Sequence, residues 1–273
     1  MHPDRFDVNL SVLFTELPVE RRPAAARAAG FDAVESWWPF DRPVPGDAEV
    51  DRFVRSITDA GVSLVVLNFY AGDMPAGERG VLSDPARARE FTDNADVVAG
   101  IGERLGCRLF NALHGTRTGG TPEQQDELAV RSLRYAAEAV GRIGGQVLLE
   151  PLSGVPGYPL RTAAEAMALV ERVRATGLDG RLGLLFDLYH LVVNEDDPRA
   201  ALQRWSADIG HVQIADAPGR HEPGTGGIDF AEFFAQLDAV GYPGRIGLEY
   251  LPTGASADGF GWLQHVPAGG RAR

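Results

Sequence analysis

The sequence predicts a single α/β domain with the fold of a (β/α)8 TIM barrel. Three observations indicate it: a length of 273 residues, eight short β-rich runs that alternate with helical patterns, and no break in composition between them. Barrels of this kind are commonly about 250 residues long. We expect residues 1–265 to form the barrel, and residues 266–273, rich in Ala, Gly and Arg, to form a flexible tail.

Each predicted strand is a short, largely apolar run. Eight strands separated by helices imply parallel pairing, because a parallel return needs a long crossover connection. An open doubly wound sheet is the competing arrangement, but no G-x-G-x-x-G motif follows the first strand. The predicted strands are Phe6–Leu13, Ala33–Trp37, Ser63–Asn68, Arg108–Leu113, Gln146–Glu150, Leu182–Asp187, His211–Ala215 and Arg245–Tyr250.

Capping residues followed by proline predict where several helices begin. Such pairs occur at positions 84–85, 121–122 and 197–198, where Asp or Thr precedes a proline at the first helical position. Asp229, three residues before a glutamate, has the spacing of a capping box. The eighth helix is predicted to be weak, because its candidate stretch, residues 255–263, contains two glycines.

Charge and composition narrow the classes of partner and the compartment. The formal net charge of −12 repels phosphate backbones and anionic membranes, so we expect a small-molecule substrate and neither a nucleic-acid nor a membrane partner. Cys107 is the only cysteine, residues 1–7 lack the apolar core of a signal peptide, and no run of about 18 apolar residues occurs. These features predict a cytoplasmic protein. The sequence leaves the oligomeric state open, with a homo-oligomer as one alternative.

The chain contains no lysine, and all 26 basic residues are arginine. Arginine keeps its proton at physiological pH and is therefore a poor Schiff-base nucleophile. The composition excludes lysine-dependent aldolase chemistry, pyridoxal-phosphate chemistry and a P-loop.

Four oxygen-bearing side chains lie at or near the ends of the last four predicted strands: Glu150, Asp187, Gln213 and Glu249. Active sites of such barrels lie where strands end and βα loops begin. Three carboxylates that close together cannot all ionise without a cation or a retained proton. A divalent metal resolves this, and the all-oxygen donor set favours Mg²⁺ or Mn²⁺ over zinc.

Other residues on the same rim are predicted to contact the substrate. They are His190, Arg220, Arg79 and Asn68. His211 shares the inward face of Gln213, and we expect it to pack against that amide or to orient it. The glycine-rich loop at residues 71–80 is predicted to be a lid. The aromatic residues at 37–40 either line the pocket or form a subunit interface.

At these positions the sequence resembles the hydroxypyruvate isomerase family of the xylose-isomerase-like barrel superfamily. The stretches that carry the resemblance are Asn9-Leu10-Ser11 with Leu13-Phe14, Ala71-Gly72-Asp73 with Ala76-Gly77-Glu78-Arg79-Gly80, Glu150-Pro151, Asp187-Leu188-Tyr189-His190, Gly210-His211-Val212-Gln213-Ile214-Ala215-Asp216, Glu222-Pro223-Gly224-Thr225-Gly226 and Glu249-Tyr250. They run along nearly the whole chain, and the lid and the stretch from Gln213 to Gly226 are the most specific.

The resemblance implies that Glu150 and Glu249 are the catalytic acid/base pair and that Glu150, Asp187, Gln213 and Glu249 hold the metal. It implies interconversion of hydroxypyruvate and tartronate semialdehyde through an enediol. Related ketose 3-epimerases typically carry histidine where this chain has Gln213, which favours the isomerase branch. The stretches at 111–115 and 153–158 depart from the family pattern.

Several alternative functions remain on the same fold. A 2-oxo-tetronate isomerase and a ketose 3-epimerase would use the same two glutamates. A DNA-repair endonuclease would need several histidine ligands and a basic groove, whereas the chain has six histidines and an acidic balance. A non-catalytic sugar-acid-binding protein would not need three carboxylates together.

Overall fold

A computed structural model describes residues 3–117, 119–178 and 181–265. Eight parallel strands close into one barrel in sequence order, and the last strand pairs with the first through Phe6 and Ile246. The predicted TIM-barrel fold is therefore confirmed. The tail predicted at residues 266–273 lies outside the described residues.

The strands of the barrel are short, and each overlaps its predicted run. They are β1 (Phe6–Asn9), β2 (Ala33–Ser36), β3 (Ser63–Asn68), β4 (Leu109–Ala112), β5 (Gln146–Leu149), β6 (Arg181–Asp187), β7 (Ile209–Ile214) and β8 (Ile246–Leu248). The first prediction extended too far: β1 ends at Asn9 rather than Leu13. The side-chain oxygen of Asn9, Oδ1, accepts the backbone N–H of Ser11 at 2.9 Å. The backbone carbonyl of Asn9 accepts the backbone N–H of Leu13 at 3.0 Å, so the chain turns at this point.

Helices surround the barrel between consecutive strands. The α-helices are α1 (Arg22–Ala28), α2 (Asp47–Ala60), α3 (Ala88–Leu105), α4 (Pro122–Gly141), α5 (Ala163–Arg174), α6 (Leu188–Val193), α7 (Pro198–Trp205) and α8 (Phe230–Ala239). Short 3-10 helices occupy Pro3–Arg5, Val19–Arg21, Ser256–Asp258 and Gly261–His265. Within the described ranges, no helix has both the length and the apolar character required to cross a membrane.

Three of the four predicted helix starts are confirmed. Thr121, Asp197 and Asp229 each accept a backbone N–H from the first turn of α4, α7 and α8. The start predicted at Asp84 is wrong, because α3 begins at Ala88. Asp84 closes a turn instead, since its Oδ1 accepts the N–H of Ala86 at 2.9 Å. The weak eighth helix is present as the two 3-10 turns of residues 256–265.

The interior of the barrel is polar along part of its length. Alternate residues of a strand face the same side of the sheet, so Asp7 and Asn9 of β1 share one face, as do His211 and Gln213 of β7. These four residues and Glu35 of β2 are at most 2% exposed. Polar groups buried this deeply are costly unless they have partners, and Asn9 and Gln213 each donate a hydrogen bond to Glu35.

The loop between β3 and α3 packs its backbone against the start of the β4–α4 loop. A Cβ on Gly80 would lie 2.2 Å from the carbonyl oxygen of Leu113 and 2.5 Å from the nitrogen of Gly115. His114, between them, holds the same junction, because its Nδ1 lies 3.0 Å from the Gly115 oxygen and 3.2 Å from Ser83 Oγ. The base of the predicted lid is thus anchored to the loop that follows β4.

We expect Gly80→Ala to lower the free energy of unfolding more than Gly77→Ala in the same loop. Both glycines have positive φ (114° and 98°), which costs a residue with a Cβ about 1–3 kcal/mol. Only Gly80 meets backbone atoms, and we expect this contact to add about 1–3 kcal/mol. Urea denaturation of both variants measures the difference, and equal losses would contradict the contact.

His114 should make the fold less stable as pH falls from about 7 to about 4. Burial lowers the pKa of His114 to about 4, so across this window the unfolded chain binds a proton that the folded chain does not. The free energy of unfolding therefore rises with pH. His114→Asn, which does not titrate, should remove up to about 3 kcal/mol of this dependence. Denaturation of both proteins across this pH range provides the test, and parallel curves would contradict it.

Candidate active site

The structure brings the predicted strand-end carboxylates together at the carboxyl-terminal mouth of the barrel. Glu150 follows β5, Asp187 ends β6 and Glu249 follows β8. Each of them, and His190, offers a ligand atom within 4.8 Å of the others. Gln213 lies opposite Asp187 in the β6–β7 pairing, so its amide reaches the same cluster. All five side chains are buried.

Glu249 has hydrogen-bond donors on both of its oxygens. Oε1 accepts the Trp37 indole N–H (2.7 Å), the Asn9 amide (2.8 Å) and, more weakly, the Gln213 amide (3.4 Å). Oε2 accepts a short hydrogen bond from the guanidinium of Arg220. These donors lie on β1, on β7 and in the loops after β2 and β7, and together they fix the carboxylate in one orientation.

Glu150 and Asp187 each use one oxygen for support and direct the other toward the cluster. Glu150 Oε2 accepts the amide of Asn111 at 2.6 Å. Asp187 caps α6, because its Oδ1 accepts the backbone N–H groups of Tyr189 (2.8 Å) and His190 (3.4 Å). The remaining oxygens, Glu150 Oε1 and Asp187 Oδ2, lie 3.8 and 3.6 Å from His190 Nε2.

Burial and mutual repulsion raise the pKa of both glutamates and so favour their protonation. Burial, opposed by the charge of Arg220 and assisted by the charges of Asp187 and Glu35, raises the pKa of Glu249 to about 8. The pKa of Glu150 is raised well above its usual range by burial and by the charges of Glu249 and Asp187. The site therefore has a strong electrostatic demand for a cation.

His190 presents an N–H to the cluster. Its Nδ1 accepts the backbone N–H of Ser153 at 3.0 Å, so the proton of the neutral ring resides on Nε2, the atom nearest the carboxylates. Burial lowers the pKa of His190 to about 4, which keeps the ring neutral. A neutral Nε2–H suits a hydrogen bond to a substrate oxygen better than coordination of a metal.

Arg220 supplies the positive charge that meets the cluster, and a folded loop positions it. Asp216, which follows β7, accepts four backbone N–H groups, from Ala217, Gly224, Gly226 and Ile228 at 2.8–3.1 Å. This loop holds Arg220 at a positive φ of 60°, with its guanidinium on Glu249, 3.6 Å from Asp187 Oδ2 and over the ring of Tyr189.

Asn68 and Arg79 line a cavity of about 750 Å³ beside the carboxylates. Trp37 forms part of the same wall, and its indole N–H reaches Glu249, so the cavity adjoins the cluster. Arg79 donates to the backbone carbonyls of Met74 and Glu78 at 2.9 and 2.6 Å. Burial and the neighbouring charge of Arg220 lower the pKa of Arg79. Arg79 and Arg220 therefore form a positive region next to the acidic cluster.

The donor set fits a hard divalent cation. Three buried carboxylates face one another, and Arg220 contributes a single compensating charge. Gln213 Oε1 is buried without a hydrogen-bond partner among the described residues, although its Nε2 is bonded. A buried amide oxygen of this kind is costly unless it has a ligand. Glu150, Asp187, Gln213 and Glu249 could hold such a cation.

Several supporting residues were not identified from the sequence. Glu35 accepts the Gln213 amide at 2.8 Å, Asn9 binds both Glu35 and Glu249, and Asn111 binds Glu150. The signal that could have found them is a polar residue at an inward position of an apolar strand, as in Ala33-Val34-Glu35. His211, expected against Gln213, contacts Glu35 at 2.8 Å and reaches Gln213 only through it.

The chain is similar to proteins of one family along nearly its whole length. The family model described as xylose isomerase-like TIM barrel matches residues 23–266. A Streptomyces coelicolor protein named "Putative hydroxypyruvate isomerase" is 50% identical over 98% of this chain and 97% of its own. A 2-oxo-tetronate isomerase of Cupriavidus necator is 34% identical, covering 95% of this chain and 97% of its own.

A solved structure supports the same fold over nearly the whole chain. The crystal structure of a Brucella melitensis protein, described as AP endonuclease, family 2, is 34% identical, with a TM-score of 0.85 over 96% of this chain and 98% of that one. The family model and the curated relatives likewise match most of the sequence. The chain therefore belongs to the xylose isomerase-like TIM barrel family, and it is an isomerase of the hydroxypyruvate isomerase group within it.

Proposed function

We propose that the chain interconverts hydroxypyruvate and tartronate semialdehyde, with Glu150 and Glu249 as the acid/base pair. The observation that carries the proposal is the buried cluster in which these two glutamates meet Asp187 beside an arginine-lined cavity. The names of the relatives agree with this substrate class.

A divalent cation, Mg²⁺ or Mn²⁺, would be held by Glu150, Asp187, Gln213 and Glu249. When bound, it would polarise the substrate carbonyl and hydroxyl oxygens and thereby acidify the adjacent C–H. The buried amide oxygen of Gln213 and the three facing carboxylates support this ligand set.

The two glutamates move the proton. One carboxylate removes a proton from C3 of hydroxypyruvate, which creates an enediol, and the same or the facing glutamate delivers a proton to C2. The hydroxyl proton passes from the C3 oxygen to the C2 oxygen, so the reaction changes no net composition. His190 Nε2–H would donate to a substrate oxygen, as its tautomer favours.

Arg79, Arg220 and Asn68 would hold the substrate carboxylate and hydroxyl groups. The chain carries a net charge of −12, so an anionic substrate needs local positive charge at the site. The adjoining arginines supply it. The two arginines also favour binding of an acidic substrate over an uncharged ketose, which argues against 3-epimerisation of a free sugar. We propose a cytoplasmic enzyme that acts on small molecules and not on nucleic acid.

A four-carbon 2-oxo-tetronate is the second candidate substrate. The cavity of about 750 Å³ beside the carboxylates has room for more than a three-carbon acid. The 34% identical relative named for this activity supports the same reading. Comparing kcat/KM for hydroxypyruvate and 2-oxo-tetronate decides between them.

Glu249→Gln should lower kcat for the isomerisation by about 10²–10⁴-fold, because the amide cannot exchange a proton with carbon. The kcat of the variant is measured with both acids, and its Tm shows whether the fold persists. Glu232→Gln, on the exposed surface of α8, serves as control and should leave kcat unchanged. A folded Glu249→Gln variant with near-normal turnover would contradict the assignment.

Removal of divalent metal by exhaustive chelation should abolish or strongly reduce turnover, and Mg²⁺ or Mn²⁺ should restore it. Because a ligand of the folded state shifts the folding equilibrium, added Mn²⁺ should also raise the Tm of the chelated protein. Asp187→Asn should weaken this thermal shift. Full turnover after chelation would identify the four residues as a hydrogen-bonded cluster and not a metal site.

A further inference from the structure

A second group of buried polar residues lies deeper in the barrel and has no part in the proton transfer. Asp7 of β1, Glu35 of β2 and His211 of β7 have side-chain atoms within 4.8 Å of one another, and all three are at most 1% exposed. Glu35 connects this group to the active site, because Asn9 and Gln213 both donate to it.

Glu35 reaches across the barrel to make these contacts. It lies on β2, whereas Gln213 and His211 lie on β7, and both β8 and β1 separate those strands. The carboxylate lies over Gly247 of β8, where a Cβ would be 2.8 Å from Oε1 and 2.9 Å from Oε2. Gly247 therefore leaves the space that the Glu35 carboxylate occupies.

Oε1 of Glu35 accepts two amide N–H groups, from Gln213 Nε2 at 2.8 Å and from Asn9 Nδ2 at 3.0 Å. A carboxylate without a proton can only accept, so it selects the NH₂ side of each amide. For Gln213, this leaves Oε1 as the amide atom without a partner within the described part of the chain. The proposed ligand atom of Gln213 is thus defined by Glu35.

The contact with Asn9 extends the same control to the catalytic carboxylate. Asn9 Oδ1 accepts the backbone N–H of Ser11, which fixes the amide so that Nδ2 faces inward. Nδ2 then donates one hydrogen to Glu35 and the other to Glu249 Oε1 at 2.8 Å. The other oxygen of Glu35 lies 2.8 Å from His211 Nε2.

We propose that Glu35 is a positioning residue that holds the Gln213 amide so that its oxygen stays available to a metal ion, and that steadies Glu249 through Asn9. The inference rests on the proposed metal-dependent function, and Glu35 itself would contact neither substrate nor metal. Partners that orient a metal ligand typically contribute about 10–100-fold to metal affinity.

The test measures Mn²⁺ affinity of the chelated full-length protein by calorimetry and by electron paramagnetic resonance. Glu35→Gln retains the size of the side chain but replaces one acceptor oxygen with a donor, so the two amides no longer meet an acceptor-only group. We expect a loss of about 10–100-fold in Mn²⁺ affinity. Gly247→Ala leaves Glu35 in place but displaces its carboxylate, so it should also weaken Mn²⁺ binding. This second variant provides the test if Glu35→Gln fails to fold.

Cys107→Ala is the matched control, because it removes another buried side chain, one that donates to backbone carbonyls of β3 and β4. It should lower Tm and leave Mn²⁺ affinity within twofold of the parent protein. Mn²⁺ affinity retained in both Glu35→Gln and Gly247→Ala, with only Tm lowered, would overturn the proposal and leave the proposed function intact.

A double-mutant cycle identifies the route of the effect. If Glu35 acts through Gln213, then Glu35→Gln should have less effect on Mn²⁺ affinity in a Gln213→Ala background than in the parent protein. Additive losses would overturn the proposed route through Gln213. A parent protein that binds no Mn²⁺ would overturn the metal site of the proposed function, and this inference with it.

Discussion

Three carboxylates buried within a few ångströms of one another are the constraint around which the rest of the site is built. Glu150, Asp187 and Glu249 repel one another, and burial raises the pKa of both glutamates. The surrounding polar groups offset the free-energy cost of burying these charges. Arg220 contacts Glu249, and amides from the strands donate to the carboxylates. The same electrostatic demand that would destabilise an isolated cluster makes it suited to hold a hard cation.

At the barrel mouth the loops carry two arginines, whereas the strand ends carry the carboxylates. The loop after β7 folds around Asp216, which places Arg220 on the carboxylates, and the loop after β3 carries Arg79 into the adjoining cavity. Two arginines thereby adjoin the acidic cluster inside a protein of net charge −12. An anionic substrate with a carboxylate at one end and an enolisable carbon at the other matches that division.

The polar interior beneath the site connects strands that are not neighbours in the sheet. Glu35 spans from β2 to β7, and a glycine on β8 gives it room. Because the Glu35 carboxylate accepts from both Gln213 and Asn9, the proposed amide ligand and the proposed catalytic residue Glu249 share a common support. Such a connection gives the site rigidity at the cost of burying further charge in the barrel.

The sequence alone determined the barrel and its strand-end cluster, because both follow from local pattern. Apolar runs that end in Glu150, Asp187 and Glu249 must, in a parallel barrel, bring those residues to one mouth. Only the tertiary structure decided which side chains from distant parts of the sequence contact one another. The partners of Glu35 lie on strands far apart in sequence, and Arg220 takes its direction from a loop held by Asp216. The signal at Asp84 predicted a helix start, but α3 begins at Ala88. Spacing along a chain reports which residues share a face, whereas barrel closure and loop geometry decide which side chains meet across it.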